Sequence, residues 1–176
     1  MSRTAYPYRY ESEAVVAAPA EVIFDELDDH RRLSAHMAEP SWIMLGSRMD
    51  LRFDTAGGRA VGSRIRLDGR VLGIPLAVEE AVVERISPTR KVWQTIGTPG
   101  LLVVAGYRMG FEITPAGLNA KLRIFIDYDL PRGGRSRWLG RLFGARYARW
   151  CVERMLSDAV ARFAPAPHAT GERAGS

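Results

Sequence analysis

The chain has 176 residues, a hydrophobic fraction of 47% and a formal net charge of +5 at pH 7, which is typical of one globular domain with a continuous core. No apolar run approaches the roughly 20 residues of a membrane-spanning helix, and no apolar stretch follows Arg3, so neither a membrane span nor a signal peptide is predicted. Cys151 is the only cysteine, which excludes an internal disulfide, and we predict a cytoplasmic protein.

The first predicted elements are a strand and two short helices. Residues 1–8 are expected to be a flexible N-terminus, and residues 10–17 form the first predicted strand. Pro19 suits the first turn of a helix, because its missing N–H costs nothing there. A second short helix is expected to continue through His36. A single ligand-binding domain is predicted over residues 9–163.

A long series of strands follows, in which apolar and polar residues alternate. The apolar members of the clearest alternations are Met49, Leu51, Phe53, Val61, Ile65, Leu67, Tyr107, Met109, Phe111 and Ile113. Gly- and Pro-rich turns separate the strands, and the segment 56–59 is one of them. Regular strands joined by short turns predict an antiparallel sheet with one buried face and one solvated face.

One long helix closes the folded part of the chain. It is predicted from Ser136 to Phe163 and, at about 1.5 Å per residue, is long enough to cross a whole domain. Pro165 ends it, and residues 164–176 are expected to be a disordered tail. The order of elements predicts an α+β fold in which a curved sheet grips the long helix and encloses a cavity.

The two halves of this helix differ in character. The second half has one apolar stripe at helical spacing, formed by Val152, Met155, Leu156, Val160 and Phe163. The first half, residues 135–150, mixes aromatic residues and Leu with Arg around a broad front. One interpretation is a helix enclosed by the sheet, with Arg stems packed on apolar surface. Another is peripheral contact with a membrane or a partner. No recognised nucleic-acid motif accompanies the basic residues, so no nucleic-acid partner is predicted.

Two short segments resemble the START-like superfamily, also called SRPBCC. Residues 18–24 (APAEVIF), after the first strand, resemble the family's opening, and residues 130–134 (LPRGG) resemble the turn before its closing helix. The likeness extends over about residues 8–163. Members include polyketide cyclases, lipid-transfer domains and chaperone activators. The resemblance implies a helix-grip fold, in which a seven-stranded antiparallel sheet, two small helices and a long C-terminal helix close a hydrophobic cavity.

Metal and thiol chemistry are not predicted. The three histidines, His30, His36 and His168, lack the spacing of a metal-ligating pair, and the first two are expected at the surface or at the mouth of the cavity. Cys151 lies among aromatic residues of the long helix and is expected to be buried and inert. No cofactor is predicted.

One strand places a carboxylate on the buried side of the sheet. Glu79 and Glu80 are adjacent and therefore face opposite sides, and Glu80 shares its side with Val78 and Val82. An inward Glu can act as a general base, although we favour a pairing with an Arg or a position near a strand end. Glu80 and Tyr107 are the candidates for acid–base catalysis.

The remaining inward side chains are large and apolar or aromatic. They form either a packed core or an adaptable apolar pocket. The predicted ligand-binding residues are Trp42, Met44, Met49, Leu51, Phe53, Trp93, Tyr107, Met109, Phe111, Tyr147 and Trp150.

Three functions remain open at this stage. The favoured one is non-enzymatic binding or transport of a hydrophobic small molecule, such as a lipid, a quinone or a polyketide-like compound. The second is a polyketide cyclase or dehydratase that uses the same cavity. The third is a protein-interaction module of the chaperone-activator type, which would have a small or filled cavity and an exposed apolar patch between Trp138 and Trp150. The sequence leaves the oligomeric state open.

Overall fold

The computed structural model of the protein describes residues 6–33, 49–71, 74–97, 101, 103–131 and 134–164. Within these ranges the chain forms, in order, β1 (Tyr8–Val16), α1 (Ala20–Asp28), α2 (His30–Leu33), β2 (Met49–Phe53), β3 (Arg64–Val71), β4 (Ile74–Ile86), β5 (Arg90–Ile96), β6 (Gly106–Ala116), β7 (Asn119–Asp129) and α3 (Gly134–Arg162). Three predictions concern residues outside the described ranges: the flexible N-terminus (residues 1–5), the second helix as far as His36, and the disordered tail (residues 165–176).

The seven strands of the described ranges form one antiparallel sheet in the order β1-β7-β6-β5-β4-β3-β2. Strands β2 to β6 each pair with the next strand in sequence, and β1 joins the far edge beside β7, where Tyr10 lies opposite Ile126. One continuous core joins the inner face of this sheet to α1 and α3. The predicted α+β helix-grip architecture is confirmed, including the two short helices after the first strand.

Strand β6 illustrates how alternation decides which side chains reach the core. Tyr107, Met109 and Phe111 are buried on its inner side. Glu112 and Arg108 alternate with them and form ion pairs on the outer face of the sheet. The predicted division into a buried and a solvated face is therefore present on this strand.

Helix α3 packs against the core through its second half. The buried residues on this side of the helix are Val152, Met155, Leu156 and Ala159. Two more, Val160 and Phe163, are half-buried against the same core. The apolar stripe predicted from helical spacing is confirmed. None of the helices in the described ranges is long and apolar enough to cross a membrane.

The turn between β2 and β3 corrects one expectation. Val61 was predicted to lie on the buried side of a strand, but its side chain is 62% exposed. The reason is that β3 begins only at Arg64. The Asp54 carboxylate accepts hydrogen bonds from the Ser63 hydroxyl at 2.6 Å and from the Arg64 N–H at 2.8 Å, which keeps Val61 in the turn.

Buried ion pairs hold the junction of α1 and α2. The Asp28 carboxylate accepts a hydrogen bond from Arg85 Nη2 at 2.8 Å and lies 2.9 Å from Lys91 Nζ. Lys91 is fully buried, and its Nζ also donates to the Asp28 carbonyl at 2.7 Å. This clamp, defined as Asp28, Arg85 and Lys91, fixes the end of α1 on β4 and β5. It therefore fixes the position of His30, which begins α2.

Candidate functional site

A small cavity lies between the inner face of the sheet and α3. Its volume, taken as the space open to the centre of a water molecule, is about 30 Å³, which suits about two waters. Its lining residues are His30, Leu67, Glu80, Trp93, Tyr107, Met109, Ile126, Tyr147, Cys151 and Met155. The cavity thus combines an apolar wall with a set of polar side chains.

Glu80 is the centre of the polar set. It lies in the middle of β4 and is only 3% exposed. The Tyr107 O–H donates a hydrogen bond to one carboxylate oxygen, and His30 Nε2 lies 3.5 Å from the other. Both oxygens of a buried carboxylate therefore face polar groups, which lowers the cost of burying it.

Among the described residues, no Arg pairs with Glu80, in contrast to the pairing that we favoured. Its second carboxylate oxygen lies 3.5 Å from Nε2 of His30. Ile65 and Thr95 lie opposite Glu80 on the neighbouring strands, and the Thr95 hydroxyl also accepts a hydrogen bond from the Tyr107 N–H at 3.1 Å. Arg64 and Arg66 of β3 instead pair with Glu79 and Asp68, and Arg85 of β4 pairs with Asp28 in the clamp.

His30 is buried and lines the cavity, which corrects the expectation of a surface or mouth position. It is 2% exposed, and its ring meets the Trp93 ring edge-on with a centroid distance of 4.8 Å. Its Nδ1 is buried and has no hydrogen-bond partner among the described residues. The physical reason for its burial is the clamp, because α2 starts two residues after Asp28. His36 lies outside the described residues.

Burial keeps the hydroxyl and thiol groups of the cavity protonated. Burial and the nearby Glu80 raise the pKa of Tyr107 well above its usual value. The neighbouring Cys151 and burial do the same to the pKa of Tyr147. Burial also raises the pKa of Cys151 to about 12, so its thiol is protonated at neutral pH and is a poor nucleophile. These groups are suited to donating hydrogen bonds.

Comparison with solved structures assigns the architecture. No family model and no curated protein sequence matches the chain. The fold is similar to that of an aromatase/cyclase from a Streptomyces species, with 15% identity, coverage of 91% of this chain and 98% of that chain, and a TM-score of 0.59. It is also similar to a START superfamily protein from Mycobacterium smegmatis, with 18% identity, coverage of 89% and 99%, and a TM-score of 0.55. The chain has the START-like helix-grip fold. Norcoclaurine synthase from Thalictrum flavum shares this fold at 16% identity, with coverage of 88% of this chain and 84% of that chain and a TM-score of 0.60.

Several predicted site residues line the cavity of this START-like fold. Trp93, Tyr107, Met109 and Tyr147 belong to the cavity wall, together with Glu80. The sheet brings the first three together from β5 and β6, and α3 supplies Tyr147. Their role in ligand binding stays a prediction.

Other predicted residues do not line this cavity. Phe111 is fully buried in the core, where it packs edge-on against Phe24 of α1 with a centroid distance of 5.7 Å. Leu51 and Phe53 are half-buried near the edge of the sheet, and Trp150 is half-buried beside Tyr147. Trp42, Met44 and the side chain of Met49 lie outside the described residues.

Five lining residues were predicted neither to bind a ligand nor to act in catalysis: His30, Leu67, Ile126, Cys151 and Met155. Strand alternation and the α3 stripe had already indicated that Leu67 and Met155 face inward. Cys151 was correctly expected to be buried. His30 had no such signal, because its position depends on long-range contacts of the clamp. Across the described ranges, no three His, Cys, Asp or Glu residues are grouped as metal ligands would be.

Proposed function

We propose that this START-like protein binds an apolar small molecule that carries one hydroxyl or carbonyl group. The observation that carries the proposal is the buried cluster of Glu80, Tyr107 and His30 in an otherwise apolar wall. A buried carboxylate lowers the stability of the fold unless its partners compensate for the lost hydration. An apolar side chain at the same position would avoid this cost, so the presence of Glu80 there supports a role in binding. A few convergent polar groups in an apolar cavity are the usual composition of a small-molecule site.

The present shape of the cavity limits how such a ligand enters. A space of about 30 Å³ suits two waters, so a larger ligand has to displace side chains. Met109 and Met155 line the cavity, and Met side chains adapt readily because they are unbranched and flexible. The ligand would then replace the waters, with its apolar part against these residues and its polar group at Glu80 and Tyr107.

The experiment is native mass spectrometry of the protein as purified from cells, with a denatured control and extraction of the released compound. We expect an apolar small molecule that is lost on denaturation. Glu80→Gln and Tyr107→Phe should each weaken rebinding of that compound about tenfold, the effect of one lost buried hydrogen bond. Glu84→Gln on the outer face is the matched control. The absence of any adduct, together with failure to bind fluorescent hydrophobic probes, would refute the proposal.

Acid–base catalysis in the same cavity is a second candidate, favoured by the contact between Glu80 and Tyr107. Glu80 would take a proton from the carbon next to a carbonyl group, and the C–H electron pair would form the enolate. Once Glu80 has taken the proton, Tyr107, which stays protonated, would turn its O–H from Glu80 to the enolate oxygen and donate its hydrogen bond there. A cyclase or dehydratase could use this step.

A different readout separates catalysis from simple binding. For an enzyme, Glu80→Gln should abolish deuterium exchange at the carbon next to the carbonyl group of a small aryl ketone, measured by NMR, and leave its affinity nearly unchanged. For a binding protein, affinity falls and the wild-type chain accelerates no exchange.

Two features also support the third hypothesis, a protein-interaction module. The cavity is small, and Trp138, Leu142 and Phe143 of α3 are exposed. This hypothesis requires that the purified protein carries no ligand and that a partner protein covers these residues. The mass-spectrometric experiment therefore distinguishes it from the first proposal.

A further inference from the structure

The first half of α3 has an exposed face that is both apolar and basic. Trp138 is 67% exposed, Leu142 49% and Phe143 40%, whereas most other large apolar side chains of the described ranges are buried. Trp138 and Leu142 are four residues apart and therefore neighbours on one helix face. Arg141 and Arg146 are exposed beside them. These five residues are called the Trp138 surface.

The opposite face of the helix fixes the direction in which this surface points. Gly140 and Gly144 are buried against the segment that precedes β6 and the end of β7. A Cβ at Gly144 would lie 2.6 Å from Leu130 Cδ2 and 3.1 Å from the Val103 carbonyl oxygen, and a Cβ at Gly140 would meet the same oxygen at 3.1 Å. A Cβ at Gly144 would force the Leu130 side chain to move, and 3.1 Å from a carbonyl oxygen is tighter than most real Cβ contacts. The helix therefore lies against the domain through its glycines. The Trp138 surface therefore faces away from the domain on a fixed helix.

The charge of this region is of one sign. Residues 130–152 contain six Arg and no Asp or Glu. In the described part of the chain, Arg141 and Arg146 form no ion pair. Further along α3 the arginines are paired, Arg149 with Glu153 at 2.9 Å and Arg162 with Glu26 at 2.6 Å. Two unpaired arginines thus lie beside the exposed apolar side chains of this helix.

We propose that the Trp138 surface docks on an anionic lipid bilayer. Helices that lie in the membrane interface combine a Trp, Phe and Leu face with Lys or Arg, and indole rings favour the level of the lipid head groups. Arginine side chains beside the apolar residues would contact lipid phosphates, while their stems stay in the apolar layer. A nucleic acid would satisfy the charge but would leave Leu142 without an apolar environment. The proposal is the alternative to a partner protein at the same residues. It rests on the surface of α3 and is independent of what the cavity binds.

The experiment is co-sedimentation of the full chain with vesicles of phosphatidylcholine, with or without about 30% phosphatidylglycerol. We expect binding to the anionic vesicles, little binding to the neutral ones, and a decrease when salt rises from about 0.1 M to about 0.5 M. Arg141→Gln/Arg146→Gln should weaken binding about 30-fold, from the attraction of two arginines near an anionic surface. Trp138→Ser/Leu142→Ser should weaken it by about tenfold or more.

Matched controls carry the same chemical changes elsewhere on the surface. Arg64→Gln/Arg66→Gln removes two arginines from the outer face of β3, and Val61→Ser/Leu118→Ser removes two exposed apolar side chains. Both controls should bind vesicles as the wild-type chain does. In addition, lipids with brominated acyl chains should quench tryptophan fluorescence in the wild-type chain, and Trp138→Phe should remove most of that quenching.

Three results would overturn the proposal. The first is equal or absent binding to anionic and neutral vesicles. The second is binding to duplex DNA without vesicle binding, which would assign the basic residues to a nucleic acid. The third is a wild-type chain that does not bind vesicles but forms a dimer, which Trp138→Ser/Leu142→Ser dissociates. That result would assign the surface to a second copy of the chain. Loss of the cavity ligand in Glu80→Gln has no bearing on these outcomes.

Discussion

At the level of single residues, Tyr107 makes the burial of Glu80 tolerable. Its hydroxyl donates to the carboxylate inside the cavity. Tyr107→Phe removes this donor without removing the ring, so a buried carboxylate oxygen loses its partner. We expect the free energy of unfolding to fall by about 1–3 kcal/mol. Urea denaturation followed by circular dichroism measures it.

The matched control for this change is Tyr128→Phe. Tyr128 is also buried, and its ring stacks on Tyr8 with a centroid distance of 5.4 Å, a contact that phenylalanine would keep. We expect a change of less than about 0.5 kcal/mol. Equal losses in the two variants would show that the hydrogen bond to Glu80 contributes nothing specific.

The orientation of Glu80 could be predicted from the sequence, but its partners could not. Alternation with Val78 and Val82 places its side chain on the inner face whatever the tertiary structure. The approach of Tyr107 depends on the register of β4, β5 and β6, and that of His30 on the docking of α2. No local pattern encodes either contact, because both join residues that are distant in the chain.

Among the elements, α1 is attached to the sheet by the clamp of Asp28, Arg85 and Lys91. Lys91→Met keeps the apolar stem but removes the buried cation and its hydrogen bond to the Asp28 carbonyl. Removing one partner of a buried ion pair is costly, so we expect a loss of about 3 kcal/mol in the free energy of unfolding.

The control for Lys91→Met is Lys121→Met, which breaks an ion pair of 3.0 Å with Glu13 between half-exposed side chains. An exposed pair contributes less than about 1 kcal/mol. Thermal unfolding by calorimetry compares the two variants directly. If they lose the same stability, the burial of the clamp has no energetic significance.

The clamp also predicts a dependence of stability on pH. Burial raises the pKa of Asp28, but hydrogen bonds from Arg85 and Lys91 outweigh it and leave the pKa below its ordinary value. A depressed pKa stabilises the folded state above the pKa of the unfolded chain, about 3.9 for Asp, and this contribution is lost as pH falls through the folded value.

Asp28→Asn removes this titration. Denaturation midpoints measured from neutral pH down to about pH 3 should therefore fall less steeply below about pH 4 in this variant than in the wild-type chain. Hydrogen bonds from Ser63 and the Arg64 N–H also lower the pKa of Asp54. Because Asp54 still titrates in Asp28→Asn, the stability of this variant should still fall with pH, but less steeply. Identical slopes in the two chains would contradict the prediction.

Element order was more predictable than the environment of individual elements. Gly and Pro turns and the change of periodicity identified the sheet and α3. Phe125 shows what alternation misses: it lies between the inward residues Ile124 and Ile126, yet is 2% exposed. Its ring lies over Gly110, where a Cβ would meet Phe125 Cζ at 2.9 Å, and the Arg9 guanidinium covers it at 4.6 Å. Such cover depends on cross-strand neighbours, which the sequence of one strand does not contain.

At the level of the whole molecule, the inner face of the sheet serves as both core and cavity wall. Residues of α3 help to close the core, and the cavity of about 30 Å³ lies beside Glu80. Side chains that line this space decide how large a ligand the fold accepts. Met155 is the clearest case, because it is buried, lines the cavity and belongs to α3 rather than to the sheet.

Met155→Ala should enlarge the cavity and create binding of a small apolar probe. The loss of stability is expected to be about 2–5 kcal/mol, since a buried side chain is removed and the structure relaxes only partly. Indole should restore part of this stability in a concentration-dependent manner, because a ligand that binds only the folded state raises the midpoint of unfolding. Leu122→Ala, also fully buried but away from the cavity lining, is the control. It should lose similar stability but, unlike Met155→Ala, should not gain affinity for indole. Equal stabilisation of both variants by indole would mean that the probe fills any new void, and that the space beside Glu80 has no special capacity to accept a ligand.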